Sequence, residues 1–383
     1  MSHFFAGRVL RISFAMIILL LLTQSIWRWW AFERNDFSSH LEGTWRVGEF
    51  QVLLSEHHFI VDHMPSNTRV FKNVRGERFI NLDQREVSLT EHRGMIDIDV
   101  DRSWSLCEQH VTRVEADQDS FDLVGSIDCL GDVRPYRLSV KPGDQYVDFE
   151  LVGSDADLLS LEIEMPPREF AVGFGAQFSR VNMRGLSVPI VVSEQGIGRG
   201  QQPLTAMVDA VAGAGGAWHS TYAPVPWFFT SSDRGFWLKT DRVSWFDFSV
   251  SDRVIVSVAD HQLALRAYVA TSPKDLISLY TQDTGRMSTP PDWLNDGIIV
   301  GVQGGSEVTQ EKLAQLTGQT EVAAVWIQDW VGQRTTSFGK QLWWNWRLDQ
   351  DHYSDYATWH SRLQDQGVRV LAYLNPSLVP DPD

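Results

Sequence analysis

The hydrophobic pattern changes character near residue 275, and this change restricts the fold more than any other feature of the sequence. Before it, short runs alternate apolar and polar residues between turn residues, as at 50–54 and 146–151. After it, continuous apolar runs alternate with segments of helical periodicity. Alternation is typical of antiparallel strands with one buried face, whereas continuous apolar runs indicate buried parallel strands. The sequence therefore predicts two domains of different fold class.

The first domain is predicted over residues 40–275 as an antiparallel β-sandwich, because many short strands separated by turns are typical of that architecture. Within it, residues 172–235 are rich in Gly and Pro and show little periodicity. This segment is predicted to be a long loop, and such loops inside a compact domain are usually functional. A helix is predicted directly after the sandwich at 275–287, with Ser272 as its N-cap.

The second domain is predicted over residues 290–383 as the first part of a (β/α)8 TIM barrel. Three apolar runs and two helical stretches alternate there, at 297–303, 307–316, 322–329, 353–366 and 368–375. A complete barrel needs roughly 250 residues. Three strands cannot close one, so the barrel is predicted to be truncated in this chain.

The amino-terminal residues 1–35 carry the pattern of an export signal or a membrane anchor. Arg8 and Arg11 precede an uncharged stretch at 12–27, as is typical of exported proteins. The stretch is short for a spanning helix, which needs about 20 residues, so cleavage and retention as an anchor both stay open. Either outcome predicts an exported body, in the periplasm or at the cell surface, with membrane contact through this segment.

Charge and motif content exclude several partners. The chain has 33 Lys+Arg against 49 Asp+Glu and a net charge of −16, which argues against nucleic-acid binding. The sequence contains no phosphate-loop, nucleophile-elbow or zinc-binding motif, so neither a cofactor nor a metal is predicted. The two cysteines, Cys107 and Cys129, cannot form a metal framework, and a disulfide and two buried thiols both stay open.

Polar residues follow each of the three apolar runs, namely Gln303, then Gln328 and Asp329, then Asn375. Strand carboxyl ends carry the active site in a β/α barrel, so we expect these side chains to lie near one another. A Trp-rich stretch follows the second run at 343–346. Amides, a carboxylate and indoles together suit a pyranose, because they hydrogen-bond its hydroxyls and stack on its ring. The alternative is that these Trp only pack one domain against the other.

Two charged residues of the long loop, Glu194 and Arg199, lie among glycines at 196, 198 and 200. They are candidates to reach into a neighbouring binding site. The alternative is a solvated loop closed by its own salt bridge.

Several motifs of the sequence carry a family resemblance. They are Gly-Phe-Gly-Ala-Gln-Phe at 173–178, Ser-Glu-Gln-Gly-Ile-Gly-Arg at 193–199, Gly-Val-Gln-Gly-Gly at 301–305, Gln-Asp-Trp at 328–330, Thr-Ser-Phe-Gly-Lys at 336–340, Trp-Asn-Trp at 344–346 and Ala-Tyr-Leu-Asn-Pro at 372–376. Together they resemble the amino-terminal half of glycoside hydrolase family 31 enzymes, most strongly the bacterial sulfoquinovosidase branch, formerly called α-glucosidases. The resemblance implies a galactose-mutarotase-like β-sandwich followed by a β/α barrel, and a retaining α-glycosidase that uses two Asp.

Carried over residue by residue, the branch's sugar-contacting amides fall on Gln303 and Gln328, and its indole contact falls on Trp344. Its sulfonate-recognising arginine falls on Gln341, which lacks the charge that would pair with a sulfonate. Asp329 is interpreted as a hydroxyl ligand in the −1 subsite. We therefore expect a neutral α-glucoside as substrate in preference to sulfoquinovose.

The family's nucleophile and acid/base are expected beyond Asp383, so no catalytic residue is assigned within the chain, and the chain alone is predicted to be inactive. The predicted function of the whole protein is retaining hydrolysis of the O-glycosidic bond of an α-glucoside or a sulfoquinovoside-like sugar. Two alternatives stay open: a non-catalytic carbohydrate-binding envelope protein, and a structural envelope protein whose Trp only pack. The sequence does not predict an oligomeric state.

Overall fold

The structure, a computed structural model, describes residues 41–84, 87–92, 94–100, 107–154, 156–336, 339–375 and 378–379. The chain divides into two units, unit 1 (Met1–Gly285) and unit 2 (Arg286–Asp383). The predicted signal or anchor segment at 1–35 lies outside the described residues. Among the residues that are described, no helix is both long and apolar enough to cross a bilayer.

Unit 1 is built mainly from antiparallel strands. Its strands, within the described ranges, are β1 (Gly43–Val47), β2 (Phe50–Leu54), β3 (Phe59–His63), β4 (Thr68–Lys72), β5 (Ile80–Asp83), β6 (Val87–His92), β7 (Met95–Val100), β8 (Glu108–Ala116), β9 (Phe121–Cys129), β10 (Asp132–Pro142), β11 (Tyr146–Gly153), β12 (Leu158–Glu164), β13 (Ala171–Gly175), β14 (Ser187–Ile190), β15 (Pro224–Thr230), β16 (Arg234–Leu238), β17 (Ser244–Asp247), β18 (Arg253–Val258) and β19 (Gln262–Val269). They form an eight-stranded sheet in the order β13-β15-β16-β19-β11-β10-β9-β8 and a five-stranded sheet in the order β14-β17-β18-β12-β5. A four-stranded sheet, β1-β2-β3-β4, and the hairpin β6-β7 complete the set.

The core of unit 1 receives one apolar face from each of the two largest sheets. In β11, the alternate residues Val147, Phe149 and Leu151 are fully buried. Leu161 and Val256, cross-strand partners in the five-stranded sheet, are buried in the same cluster. Burial with a period of two is what two facing sheets require. The predicted β-sandwich is therefore confirmed.

A disulfide joins Cys107, which directly precedes β8, to Cys129, the last residue of β9. Both residues are half-buried and pack against the core of the sandwich. Of the two outcomes that the sequence leaves open, the structure shows the disulfide. The bridge ties together the start and the end of two neighbouring antiparallel strands at one edge of the eight-stranded sheet.

Replacing both cysteines with serine is expected to lower the free energy of unfolding by about 3 kcal/mol, because the bridge spans 22 residues of the unfolded chain. Urea-induced unfolding followed by circular dichroism measures the change. Reductant should lower the wild-type midpoint by a similar amount and leave the double variant unchanged. A variant as stable as the oxidised wild type would contradict this expectation.

The prediction of one long loop at 172–235 is wrong. The segment contains β14 and β15 as well as a helix, α1 (Leu204–Ala212), which ends at Gly213 in the left-handed conformation with φ +55°. The helix was not visible as a period of 3.6 because its apolar residues Leu204, Met207 and Val211 are exposed, so no buried stripe accompanies it.

The helix that follows the sandwich, α2 (Pro273–Thr284), confirms the predicted N-cap. The backbone N–H of Asp275 donates to Ser272 Oγ at 3.2 Å, and the helix begins at Pro273, where the missing N–H of proline costs no hydrogen bond. The helix ends three residues earlier than predicted, because Gly285 follows at φ +89°, outside the helical region.

Unit 2 alternates strands and helices around a parallel sheet. Its elements, within the described residues, are a 3₁₀ turn (Asp292–Asn295), β20 (Ile298–Val302), α3 (Gly305–Leu316), β21 (Val322–Ile327), β22 (Gln333–Thr336), β23 (Gly339–Leu342), α4 (Tyr356–Asp365) and β24 (Arg369–Ala372). The parallel sheet has the order β20-β21-β24, and β22 and β23 form an antiparallel hairpin. Val325, Ile327, Trp359 and Leu363 form the centre of its core. The three predicted apolar runs are thus three neighbouring parallel strands.

Candidate functional site

The register of the parallel sheet brings the three strand ends of unit 2 together. Val302 pairs with Ile327, and Ile327 pairs with Ala372. The residues that follow these positions therefore leave the sheet along one edge, as the sequence predicts for Gln303, Gln328 and Asn375.

Three glutamine side chains are linked at this edge. Gln303 Nε2 donates to Gln328 Oε1, and Gln333 Nε2 donates to Gln303 Oε1 at 3.2 Å. Gln303 is exposed, and Gln328 is half-buried. Within the part of the chain that the structure describes, the Gln328 NH₂ group has no acceptor, so it is available to a ligand. The arrangement presents neutral donors and acceptors on open surface, which is the pattern that sugar hydroxyls match.

Asp329 differs from the three linked glutamines because its side chain has no exposed surface. Its Oδ2 accepts the Gly304 N–H at 2.8 Å and lies 2.8 Å from His352 Nε2, while its Oδ1 accepts the Tyr353 hydroxyl at 2.7 Å. Burial, together with the hydrogen bond to this carboxylate, raises the pKa of Tyr353 well above its usual range. Both oxygens of Asp329 are therefore engaged inside the protein, which differs from the arrangement expected of a hydroxyl ligand.

The tryptophans of this region divide by their contacts. Trp330 Nε1 donates to the Tyr373 carbonyl at 2.6 Å, and Trp346 Nε1 donates to the Asn375 carbonyl at 2.9 Å. Trp330 packs against the core of unit 2, whereas Trp346 is 52% exposed. Trp344 is half-buried, and its Nε1 is buried without a hydrogen-bond partner in the described residues. Trp346 thus presents an exposed ring, Trp344 has a buried N–H without a partner in the described residues, and Trp330 serves packing.

Gln341 lies on the hairpin of β22 and β23, directly opposite Arg334. It is half-buried, and its neighbour Lys340 is exposed. The guanidinium carbon of Arg334 lies 5.3 Å from the ring centroid of Trp343. The position that the family resemblance links to a sulfonate therefore has a cation on the adjacent strand.

Glu194 and Arg199 lie in unit 1, and each is held by its own surroundings. Glu194 accepts the Tyr222 hydroxyl, and its backbone N–H donates to the Gly94 carbonyl at 2.8 Å. Arg199 donates to Gln195 Oε1 at 2.7 Å and to the Ser220 carbonyl at 2.8 Å. In the described ranges no ion pair joins Glu194 to Arg199, so the loop is not closed by the salt bridge of the alternative reading.

Sequence reasoning missed Gln333, Arg334, His352 and Tyr353. Gln333 and Arg334 follow the Gln-Asp-Trp motif within four residues and carry an amide and a guanidinium group. Their closeness to the motif in the sequence could have marked them as candidate site residues. His352 and Tyr353 come more than twenty residues after Asp329, and only the tertiary fold brings them to the carboxylate. Among the described residues, no group of three or more His, Cys, Asp or Glu side chains is arranged to hold a metal ion.

The sequence and the fold of this chain are similar to those of glycoside hydrolases. Two curated proteins to which the chain is similar are sulfoquinovosidases. The one from Escherichia coli is 34% identical over 227 residues, or 58% of this chain and 33% of that protein. The one from Agrobacterium fabrum is 32% identical over 226 residues, or 58% of this chain and 34% of that protein. The chain thus spans about a third of the length of these relatives.

Solved structures agree with the sequence comparison. A GH31 family sulfoquinovosidase from E. rectale, in complex with an aza-sugar inhibitor, matches with a TM-score of 0.76 and 25% identity, covering 86% of this chain and 48% of that chain. No family model matches the chain. These relatives confirm the resemblance to glycoside hydrolase family 31 in its sulfoquinovosidase branch, and the partial coverage fits the amino-terminal part of such a protein.

Proposed function

We propose that this chain is the amino-terminal part of a retaining α-glycosidase that hydrolyses the O-glycosidic bond of an α-glucoside or a sulfoquinovoside-like sugar. The observation that carries the proposal is the set of linked amides, Gln303, Gln328 and Gln333, at the carboxyl ends of parallel strands. The sulfoquinovosidase relatives support the same chemistry. We accordingly propose that the three-stranded sheet is the first part of a (β/α)8 barrel, whose strand ends carry the active site.

In this proposal, Gln303 and Gln328 bind sugar hydroxyls, while Trp344 and Trp346 form the apolar wall against the ring. A side-chain amide offers both donors and an acceptor, so it matches the paired roles of a hydroxyl. The Trp344 side chain is half-buried and that of Trp346 is 52% exposed, so both rings have surface that a sugar can contact.

Asp329 is proposed to hold the turn at Gly304 rather than to contact the sugar. A retaining pair needs two carboxyls about 5–5.5 Å apart that both face the substrate. Asp329 is buried and bonded on both oxygens, so it suits neither role. We therefore propose that both catalytic carboxylates of the whole protein lie outside the described residues of unit 2, and that the chain alone is inactive.

The protein is proposed to work outside the cytoplasm. Disulfides persist in oxidising compartments and are rare in the cytosol, and the Cys107–Cys129 bridge supports that location. The export pattern at residues 1–35 supports it as well. The body is then released into the periplasm, exposed at the cell surface, or anchored through this segment.

Replacing Gln328 with alanine is expected to weaken binding of methyl α-glucoside about fivefold, because the variant loses roughly one net hydrogen bond of about 1 kcal/mol and leaves Gln303 without its acceptor. Sugar binding is measured by titration of tryptophan fluorescence. The matched control is Gln310→Ala, on the exposed surface of α3, which should bind as the wild type does. Equal affinity of wild type and Gln328→Ala would exclude this edge as the sugar site.

The second candidate is a non-catalytic carbohydrate-binding envelope protein, and the observation that favours it is that Asp329 is buried and bonded on both oxygens. Hydrolysis of an α-glucoside by the whole protein would exclude this candidate. A purely structural envelope protein, the third reading, predicts no fluorescence change with any sugar.

A further inference from the structure

The five-stranded sheet of unit 1 carries a cavity on its outer face. The inner face of this sheet supplies Leu161 and Val256 to the core, and the residues that alternate with them leave the sheet on the other side. The cavity on that side has a volume of about 360 Å³. Small-ligand pockets measure roughly 300–1,000 Å³, so this cavity has room for one sugar ring.

Two rows of side chains form the floor of the cavity, and each row runs across neighbouring strands. Within a row the residues are cross-strand partners, so their Cβ atoms lie roughly 5 Å apart. Adjacent rows are separated by two residues along each strand, or about 7 Å. The floor thus places indole, hydroxyl, amide and carboxylate groups side by side. The first row is Trp245, Ser257, Ser160 and Asn81, and the second is Asp247, Ile255 and Glu162.

Three residues of the floor are more buried than an outer sheet face requires. Trp245, Ser160 and Glu162 are 6%, 4% and 8% exposed, although none of them belongs to the core of the sandwich. The outer face of an antiparallel sheet is normally solvated. The walls of the cavity, which include Arg78 and Val100, therefore enclose its floor. A polar floor between enclosing walls is typical of a ligand pocket.

The polar groups of the floor are only partly used by one another. The hydroxyls of Ser160 and Ser257 lie 2.7 Å apart and share one hydrogen bond, which uses one of their two protons. Within the described residues the second proton and the remaining lone pairs are available to a ligand. Asn81 Nδ2 donates to Glu162 Oε1 at 2.8 Å, and Glu162 Oε2 accepts from Arg253 Nη1 at 2.8 Å. These bonds orient the Asn81 amide, whose Oδ1 remains an acceptor.

The charges around the cavity disfavour an anionic ligand. Its lining contains three carboxylates, Asp83, Glu162 and Asp247, against one guanidinium, Arg78. Arg253 compensates Glu162 at 2.8 Å, which leaves two carboxylates and one cation. The net charge of −16 on the whole chain adds to the repulsion of anions. An uncharged ligand rich in hydroxyls suits this lining, because each serine oxygen both donates and accepts.

We propose that this cavity binds an uncharged sugar unit, either a free monosaccharide or the end of a glycan. Asn81 Oδ1 accepts from a sugar hydroxyl, the Ser160–Ser257 pair donates and accepts, and Trp245 supplies apolar surface at the floor. The site lies wholly within unit 1 and shares no residue with the linked amides of unit 2. It is a second place at which the protein holds carbohydrate, and it does not depend on the proposed hydrolytic function.

Fluorine NMR of the full chain labelled with 5-fluorotryptophan tests this proposal, and the signal that is absent from Trp245→Phe reports the cavity. The uncharged ligands are methyl α-glucoside, methyl α-galactoside and maltotriose. Methyl α-glucuronoside, with a carboxylate at C6, is the anionic counterpart. We expect at least one uncharged ligand to shift the Trp245 signal saturably, and the glucuronoside to bind at least about fivefold more weakly than that ligand. A response to a monosaccharide indicates a free sugar, and a response to maltotriose alone indicates the end of a glycan.

Two substitutions at one floor position sharpen the test. Ser257→Ala removes a hydroxyl and should weaken binding about fivefold, whereas Ser257→Leu fills the cavity and should abolish the shift. The matched control is Ser126→Leu, at a half-buried serine on the outer face of the eight-stranded sheet, which should keep the shift. Thermal unfolding shows that each variant is folded. The proposal is overturned by a Trp245 signal that no uncharged ligand shifts, by equal affinity for the glucuronoside, or by binding that survives Ser257→Leu.

The same spectra separate this inference from the proposed function. The signals of Trp344 and Trp346, assigned by substitution with Phe, report the edge of unit 2 that carries the linked amides. A response to methyl α-glucoside there, with none of the uncharged ligands shifting Trp245, would overturn this inference and leave the proposed function in place. A response at Trp245 alone would support this inference and count against the proposed sugar site of unit 2.

Discussion

Replacing Asp329 with alanine should destabilise unit 2 by about 3–5 kcal/mol, because it removes several hydrogen bonds to a carboxylate, each of which contributes about 1.5–3 kcal/mol. The side chain has no exposed surface and accepts hydrogen bonds from the Gly304 N–H and the Tyr353 hydroxyl, while His352 lies at 2.8 Å. Alanine would leave the buried Tyr353 hydroxyl without its acceptor and would remove the partner of the Gly304 N–H and of the partly exposed His352 ring. It would also free the turn between β20 and α3, which positions Gln303.

Hydrogen exchange of the β21 backbone amides, together with urea-induced unfolding of the chain, measures this effect. The matched control is Asp365→Ala, an exposed aspartate at the end of α4, which should change stability by less than about 0.5 kcal/mol. Asp329→Asn retains the shape of the side chain and one acceptor oxygen. Its loss of stability should therefore lie between those of Asp329→Ala and Asp365→Ala. Similar exchange rates in the Asp329→Ala and Asp365→Ala variants would show that the buried carboxylate does not hold the strand ends.

Replacing Glu169 with alanine should destabilise unit 1 by about 3–5 kcal/mol, because it leaves a buried guanidinium without its counter-charge. Arg234 Nε and Nη2 donate to the two Glu169 oxygens at 2.9 and 2.8 Å, and the two side chains are only 6% and 3% exposed. The same guanidinium also donates to the carbonyls of Val70 and Glu164 at 3.1 and 2.9 Å. One arginine of β16 thus connects β4 and β12, which belong to two other sheets.

Thermal and urea-induced unfolding of the variant measure this loss. The matched control is Asp62→Ala, which breaks the pair with Arg69, where the side chains are 28% and 52% exposed. An exposed pair of that kind contributes about 0.2–1 kcal/mol, so the control should unfold close to the wild type. A loss in Glu169→Ala no larger than in Asp62→Ala would mean that burial adds nothing to the Glu169–Arg234 interaction.

The sandwich and the order of elements in unit 2 could be predicted because the apolar residues of the sequence pattern are the residues that the structure buries. The run at 50–54 alternates in the sequence, and it is the strand β2 with alternate residues buried. Helix α1 could not be predicted, because its apolar residues face solvent and the glycines around it indicate turns. Its existence depends on the surrounding loops, for instance on the Gly200 N–H that donates to Thr205 Oγ1 at 3.0 Å.

The sequence predicted which residues follow the strands at the candidate site, and it did not predict the contacts of their side chains. The rule that polar residues follow parallel strands located Gln303, Gln328 and Asp329. The rule does not say which side chain turns inward, because that choice depends on donors far along the chain. His352 and Tyr353 provide those donors for Asp329, so the carboxylate lies in the interior and the amides remain at the surface.

The burial of Asp329 beneath the surface amides separates the residues that hold this edge of the sheet from those that are proposed to meet the ligand. Gln303 is exposed and Gln341 half-buried, so substitutions there leave the carboxylate and its donors in place. Such surface changes usually alter stability by less than about 0.5 kcal/mol. Ligand preference can therefore diverge during evolution by single substitutions, while the scaffold that presents those positions is inherited unchanged.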